Sequence, residues 1–276
     1  MLGKLLKHEF RATGRIMLPL LGALIVLAGA ANLSFRGVEV TDNGLVTLIL
    51  GLIIVAFFLG MFAVCVMAVV IMVQRFYKNL LGDEGYLTLT LPTGLHSLVW
   101  SKLIVSAVWM LVTSLVAMTL FIGSITHIII LAEAGFPGWD EILRQFRAAM
   151  DEAGIVGSVR MGFYGEMALL TVIGFMAQCL HFYAAMAIGH SFSKDKVLLS
   201  VVFYIVIGFG MSLLFSILNL NGAPYNITIV GPVTEMDWSI KLMHRVLRYG
   251  ILTQLIYSAI CYVLTWLPLK KGLNLE

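Results

Sequence analysis

Charged residues are scarce in this chain of 276 residues: they make up 12% of it, whereas 60% of its residues are hydrophobic. Soluble domains carry about 25% charged residues, with which they cover their surface. With a mean hydropathy of +0.98, the chain has too little polar surface for that class. It also lacks the alternation of apolar and polar residues that is typical of membrane barrel strands. The composition therefore predicts an integral membrane protein built from helices.

The short motifs of familiar catalytic sites are also missing from the sequence. There is no G-x-x-x-x-G-K-[ST] run for nucleotide phosphates, no H-E-x-x-H zinc site and no G-x-S-x-G nucleophile turn. No pair of aspartates lies in the apolar segments. These absences exclude nucleotide binding by a P-loop and argue against the familiar intramembrane proteases and hydrolases.

Ionisable side chains are nearly absent from the interior of the apolar segments. A charge within a membrane costs several kcal/mol and is usually kept for ion coupling or proton transfer. The chain offers only His127 and His181, with Glu166 at a boundary. A lone histidine in a span is most often hydrogen-bonded to a neighbouring helix. If the protein moves a solute, the energy is therefore expected to come from elsewhere.

The cysteines give no sign of a metal site or a disulfide framework. Cys65, Cys179 and Cys261 all lie inside apolar segments and lack the spacing of metal ligands. We interpret all three as packing residues, because free cysteine behaves as a small apolar side chain.

Six apolar segments are long enough to cross a bilayer, which takes about 20 residues. With six spans both termini lie on the same side of the membrane. The predicted spans are residues 16–33, 45–73, 103–131, 167–189, 197–218 and 250–267.

The distribution of lysine and arginine sets the predicted orientation. When both termini are placed in the cytoplasm, 11 of the 18 basic residues lie on the inner side, as the positive-inside rule favours. The pI near 8.7 comes from these loop residues and does not indicate nucleic acid. The outer side then carries two longer loops, 132–166 and 219–249. An amphipathic segment at 139–150 in the first predicts a surface helix, which either caps the bundle or gates a substrate path.

The N-terminal segment, residues 1–15, has the pattern of an amphipathic helix. Its basic residues lie opposite an apolar face, and such a helix rests in the headgroup layer with its apolar side toward membrane lipid. Glu9 falls within that face, so protein contacts are expected as well. The alternative is that the segment is simply an extended start to the first span. The apolar face consists of Leu2, Leu5, Leu6 and Phe10.

The cytoplasmic loop at 74–98 holds the densest group of polar and turn-forming residues in the first half of the chain. The second span is predicted to continue through Arg75 and Lys78, and Gly82 permits a turn. Asp83 is a suitable N-cap for a short helix that ends at Pro92. The four apolar residues of this helix favour a docking element for a soluble partner over a plain solvated connector. They are Tyr86, Leu87, Leu89 and Leu91.

The loop and the N-terminus together resemble a known family. The run from Glu84 to Thr93, EGYLTLTLPT, followed by Ser101-Lys102, resembles the coupling-helix signature of type-2 (export) permeases of ATP-binding-cassette transporters. Lys7-His-Glu-Phe10 is similar to the start of that family. Six spans per chain fit it as well.

The resemblance implies that residues 1–276 form a single permease domain in a bacterial plasma membrane. Two permease chains, alike or different, would pair, and each would seat its coupling helix on a separate cytoplasmic ATPase subunit. ATP and magnesium would then belong to that partner, and this chain would hold no cofactor and have no catalytic role. The implied contact residues are Arg75, Lys78, Asp83, Glu84, Gly85, Tyr86, Leu87, Leu89 and Pro92.

The spans contain no charged cavity, so the cargo is expected to be hydrophobic or amphipathic: a peptide, an antimicrobial, a drug or a lipid. Two other classes of function stay open at this point. One is a scaffold or sensor that recruits a cytoplasmic partner through the same loop without transport. The other is a membrane enzyme acting on lipid, for which His181, Glu166 and His190 are the only candidate polar residues.

Overall fold

The structure is a computed structural model, and nearly every residue that it describes is helical. It describes residues 2–82, 94–131, 143–145, 147–148, 151, 158–192, 195–220 and 235–271. Residues 143–145, 147–148 and 151 are helical and belong to the predicted outer surface helix. The rest of that segment lies outside the described residues.

Six helices in the described part of the chain are long and apolar enough to cross a membrane, which confirms the predicted number of spans. Each contains one of the predicted apolar segments, with polar residues extending it at one or both ends. The helices are α1 (Leu2–Val40), α2 (Gly44–Phe76), α3 (Leu95–Leu131), α4 (Ser158–Gly189), α5 (Lys196–Leu220) and α6 (Glu235–Lys271).

Large apolar side chains are exposed along the helices, as a hydrocarbon environment requires. Val26, Leu45 and Phe62 are each at least 70% exposed. A soluble monomer rarely exposes so much continuous apolar surface. The described part of the chain is therefore that of a multi-pass membrane protein.

The N-terminal segment is continuous with the first span, because α1 runs without a break from Leu2 to Val40. The structure thus has the extended first helix that the sequence left as the alternative. Pro19 lies inside this helix but does not end it. The amphipathic division persists within α1, since Lys4 and Lys7 are exposed whereas the predicted apolar residues are half-buried: Leu2, Leu5, Leu6 and Phe10.

The second helix continues beyond its apolar span, as the sequence predicts. After α2 the chain forms one π-helical turn over Tyr77–Leu81, and it leaves the helix at Gly82. The Gly82 amide donates a hydrogen bond to the Tyr77 carbonyl at 2.8 Å. A π turn adds a residue to the helical repeat and is often found at functional positions.

The described residues divide into two compact units, of which the first comprises Met1–Gln74 and Val108–Leu143. Its core lies between α1 and α2, where Leu24 and Phe57 are fully buried. A side-chain carbon at Gly60 would lie 2.9 Å from Leu27 Cδ2, so the glycine permits the two helices to approach closely. Side chains of α3 complete this core: Trp109, Val112, Val116 and Leu120.

The second unit comprises Arg75–Ala107 and Arg144–Glu276. Within it α4 packs against both α5 and α6. The buried side of α4 carries many small residues, among them Ala184, Ala185 and Ala187, and small residues let membrane helices approach closely. Cys179 and Cys261 are buried in this unit and form no disulfide bond, which confirms their interpretation as packing residues.

Candidate functional site: the base of the loop between α2 and α3

The predicted docking helix lies outside the described residues, because the structure describes the chain up to Gly82 and again from Gly94. The predicted contacts from Asp83 to Pro92 therefore stay predictions. What the structure does describe is the loop base, which we define as residues 75–82 and 94–106. All of the loop base belongs to the second unit.

The loop base is joined to α4 by a buried aromatic stack. The rings of Phe76 and Tyr183 lie 3.9 Å apart between centroids, with their planes 10° from parallel. Both side chains are completely buried. Buried aromatic pairs contribute about 0.5–1.5 kcal/mol beyond the area that they remove from solvent. The last turn of α2 is thereby fixed to α4.

Tyr183 also binds the first turns of α3. Its hydroxyl lies 2.8 Å from Ser106 Oγ and donates a longer hydrogen bond to the Lys102 carbonyl at 3.5 Å. Either hydroxyl can be the donor in the shorter contact. Lys102 itself is 5% exposed. One tyrosine of α4 therefore holds both chain segments that flank the loop.

A second aromatic contact lies at the end of α4. Tyr77 meets the ring of His190 edge-on, with 5.1 Å between centroids. His190 Nδ1 donates to the Met186 carbonyl at 2.9 Å, and Nε2 has no hydrogen-bond partner among the described residues. Burial lowers the pKa of His190, and the charge of Lys196 acts in the same direction, against the hydrogen bond to Met186. The ring is therefore neutral at physiological pH.

The two predicted basic contact residues lie where the loop begins. Lys78 is exposed and Arg75 is half-buried, and the Tyr77 ring beside them is 40% exposed. They belong to the last turns of a helix whose other side is anchored by Phe76. The structure thus provides a charged and aromatic surface on a fixed support, and its contact with a partner stays a prediction.

Contacts between helix ends in the second unit agree with a six-span topology. His96 at the start of α3 stacks on Trp266 near the end of α6, with 5.4 Å between ring centroids. At the other end, Glu166 early in α4 contacts His244 early in α6. Alternating spans place α3's start on the side where α6 ends, and they place the starts of α4 and α6 together on the opposite side. Both contacts fit this arrangement. The assignment of that side to the cytoplasm stays a prediction from the distribution of charge.

His181 links three helices within the second unit. Its Nε2 lies 2.9 Å from the Tyr204 carbonyl of α5, and the Tyr257 hydroxyl of α6 lies 2.7 Å from its Nδ1. A carbonyl can only accept, so Nε2 carries the proton and Nδ1 accepts from Tyr257. A side-chain carbon at Gly208 would lie 3.2 Å from His181 Cε1, so this glycine leaves room for the ring. The expected hydrogen bonding to neighbouring helices is confirmed.

We expect His181→Phe to lower the free energy of unfolding by roughly 1–3 kcal/mol, because two interhelical hydrogen bonds are lost and the ring volume is kept. Tyr257→Phe removes one of the two bonds and should cost about half as much. Thermal unfolding of the purified protein in detergent measures both. Equal melting temperatures for wild type and His181→Phe would show that the histidine stabilises nothing.

Glu166 forms an ion cluster near the start of α4. Its carboxylate accepts from Arg248 Nε at 2.7 Å and lies 2.6 Å from His244 Nδ1. Three basic residues precede the last predicted span: Lys241, Arg245 and Arg248. The Glu166 carboxylate neutralises the charge of Arg248. His181 follows Glu166 by about 22 Å along α4 at 1.5 Å per residue. The structure therefore does not bring Glu166, His181 and His190 together, and the lipid-enzyme interpretation loses its only candidate residues.

An apolar cavity of about 280 Å³ lies between α3, α4 and α6 in the second unit. Its two polar neighbours are already bonded: Ser258 donates to the Gln254 carbonyl at 2.7 Å, and the Tyr262 hydroxyl pairs with His96 Nδ1. The remaining surface suits hydrocarbon. It is lined by Trp100, Ile173, Met176, Leu180, Leu255, Ser258, Ala259 and Tyr262.

The described residues hold no group of three or more histidine, cysteine, aspartate or glutamate side chains that could bind a metal ion. The chain matches no protein-family model, and no curated protein or solved structure shows significant similarity to it. Its function must therefore be argued from the residues and contacts above.

Sequence reasoning missed the residues that organise the loop base and the three-helix link. Tyr183 and Tyr257 were not singled out, although each is a hydroxyl-bearing ring in an apolar helix. Such a hydroxyl needs a hydrogen-bond partner when it is buried, and that requirement was the available signal. Tyr204 takes part through its backbone carbonyl, which no residue type signals. The pattern could show that partners exist but not which helices supply them.

Proposed function

We propose that the chain is the membrane-spanning subunit of an ATP-driven exporter. Residues 83–92 would dock on a separate cytoplasmic ATPase subunit, and a second permease chain would complete the translocation path. The cargo is hydrophobic or amphipathic: a peptide, an antimicrobial, a drug or a lipid. The membrane would be a bacterial plasma membrane with both termini in the cytoplasm.

The observation that supports this proposal most is the loop base. A docking segment can transmit force only if its ends are fixed to the part that must move. Here both ends are tied to α4 through Tyr183, which stacks on Phe76 and bonds to Ser106. A shift of the docking segment would therefore carry the second unit with it. A plain solvated connector has no need of such a support.

Coupling also needs an energetic preference, because a ligand of equal affinity for two states shifts neither. The ATPase must bind the docking segment more tightly in one arrangement of the permease. The bonded polar groups around the apolar cavity, Ser258 and Tyr262, suit an apolar cargo. The predicted apolar segments contain almost no ionisable side chains, which agrees with energy supplied by a partner.

The proposal predicts that a neighbouring gene encodes an ATP-binding-cassette ATPase, and co-purification of the chain with that ATPase tests it. We expect Glu84→Ala combined with Leu87→Asp to abolish recovery of the ATPase or to reduce its turnover at least tenfold. The first change removes a charged contact, and the second places a charge in an apolar interface. A loss of about 1.4 kcal/mol in binding free energy raises the dissociation constant tenfold.

A matched control is Asp42→Ala, in the turn between α1 and α2, combined with Leu45→Asp at the start of α2. Asp42 and Leu45 are both exposed and are predicted to lie on the outer side. This variant should keep both ATPase and turnover. If both variants behave like wild type, or if the neighbouring gene encodes no such ATPase, the exporter proposal is wrong. Retained binding without cargo-stimulated turnover would favour the scaffold instead.

A further inference from the structure

A groove of about 700 Å³ lies between α1 and α3 in the first unit. One part of its lining is basic, formed by Arg11 and Arg15, and the rest is apolar or aromatic. A side-chain carbon at Gly14 would lie 3.4 Å from Trp109 Cζ2, so the glycine forms a shallow floor beside the indole. The apolar lining is Phe10, Leu18, Pro19 and Trp109.

The two arginines stand on the same face of α1, since residues four apart in a helix are neighbours. Both are exposed. Neither forms an ion pair or hydrogen bond with any residue that the structure describes. No acidic residue is among those lining the groove. Two guanidinium groups thus face a space that holds no carboxylate to neutralise them.

The groove changes in character along α1. Arg11 and Arg15 precede Leu18 and Pro19, where the apolar span begins, and Leu18 is 64% exposed. An occupant must therefore be anionic at one end and apolar at the other. A free phosphate would leave the apolar wall uncovered, and a hydrocarbon alone would leave two arginines without an anion.

We infer that this groove is a binding site for an anionic phospholipid of the leaflet that meets the N-terminal part of α1. The phosphate would lie between Arg11 and Arg15, because the planar guanidinium matches phosphate oxygens in bidentate geometry. One acyl chain would lie along Leu18 and Trp109. Basic pockets between membrane helices bind anionic headgroups by the same chemistry. The inference is independent of the exporter proposal.

Native mass spectrometry of the full-length chain in detergent tests the site. The probe is an equimolar mixture of dioleoyl phosphatidylglycerol and dioleoyl phosphatidylcholine, and the readout is the ratio in which they are retained. Wild type should retain phosphatidylglycerol in preference. Arg11→Gln combined with Arg15→Gln should reduce that preference about tenfold or more, because each basic contact with an anionic surface contributes substantially to binding.

The matched control is Lys4→Gln combined with Lys7→Gln, which removes the same charge from the same helix. Lys4 and Lys7 are exposed but do not line the groove. In this variant the preference for phosphatidylglycerol should therefore change less than about twofold, against the loss of about tenfold expected for the arginine variant. Equal losses in the two variants would mean a diffuse positive field and would overturn the inference. So would a wild type without preference.

Two further experiments distinguish a bound phospholipid from a bound free phosphate. Leu18→Gln keeps both arginines and should weaken retention of the dioleoyl lipid, because the apolar wall is interrupted. Glycerol phosphate in excess should not displace the lipid. Full displacement by glycerol phosphate, together with normal retention by Leu18→Gln, would show a free-phosphate site and contradict the lipid assignment.

Discussion

Gly189→Ala should lower the melting temperature of the protein by roughly 4–10 °C, because it forces two backbones apart. A side-chain carbon at Gly189 would lie 2.6 Å from the Ser200 amide nitrogen and 2.7 Å from Ser200 Cα. Backbone atoms cannot rotate out of the way as a side-chain end can. The change would separate the end of α4 from the start of α5, beside the His190 ring that contacts Tyr77. Thermal unfolding in detergent measures the loss.

Gly174→Ala in the same helix is the matched control, since a side-chain carbon there meets nothing within 4 Å. Alanine favours a helix over glycine by about 1 kcal/mol, so this variant should melt at or slightly above the wild-type temperature. If both variants melt together, the close approach of α4 and α5 at Gly189 does not exist in the protein.

Tyr183→Ala should have the second large effect, about 3–5 kcal/mol in the free energy of unfolding. It removes a fully buried ring that stacks on Phe76 and bonds to Ser106. Both segments that flank the loop between α2 and α3 then lose their support. If the exporter proposal is right, cargo-dependent turnover of the complex with the proposed ATPase should also fall, even at temperatures where the variant stays folded. Unfolding curves and turnover of the purified complex measure the two effects separately.

Tyr183→Phe separates the two contributions of this side chain, because it keeps the stack and removes only the hydroxyl. It should lower the free energy of unfolding by about 1 kcal/mol, as expected for a single hydrogen bond. Tyr164→Ala supplies the matched truncation, since Tyr164 is on the same helix and 39% exposed, and it should cost far less. A Tyr183→Ala variant that unfolds like Tyr164→Ala would contradict the role of the loop base.

The spans could be predicted because their signal is local. Twenty apolar residues in a row bind hydrocarbon whatever the rest of the chain does, and all six were found. The continuation of the second helix through Lys78 and the turn at Gly82 were also predicted. The separate N-terminal helix was favoured but is not what the structure has, because an amphipathic pattern is compatible with a continuous helix. Nothing between Leu2 and Pro19 breaks the helix, and α1 is continuous.

The cross-helix contacts could not be predicted, because they join residues far apart in sequence. His181 meets partners 23 and 76 residues away, and pattern alone does not say which faces of α5 and α6 turn toward α4. The stack of Phe76 on Tyr183 likewise joins α2 to α4, and no residue type signals the π-helical turn that follows Phe76. The groove that Arg11 and Arg15 line could not be predicted either, because its lining also includes Trp109, which is distant in sequence.

The most direct test of the docking proposal is site-specific photocrosslinking at Leu87. A photoreactive amino acid at that position, in cells that contain the whole operon, should join the chain to an ATP-binding-cassette ATPase, identified by the mass of the adduct. The same probe at Leu45, at the start of α2, should give no such adduct. If no ATPase adduct forms at Leu87, or if the yield is equal at both positions, the proposal that this loop binds the ATPase is contradicted.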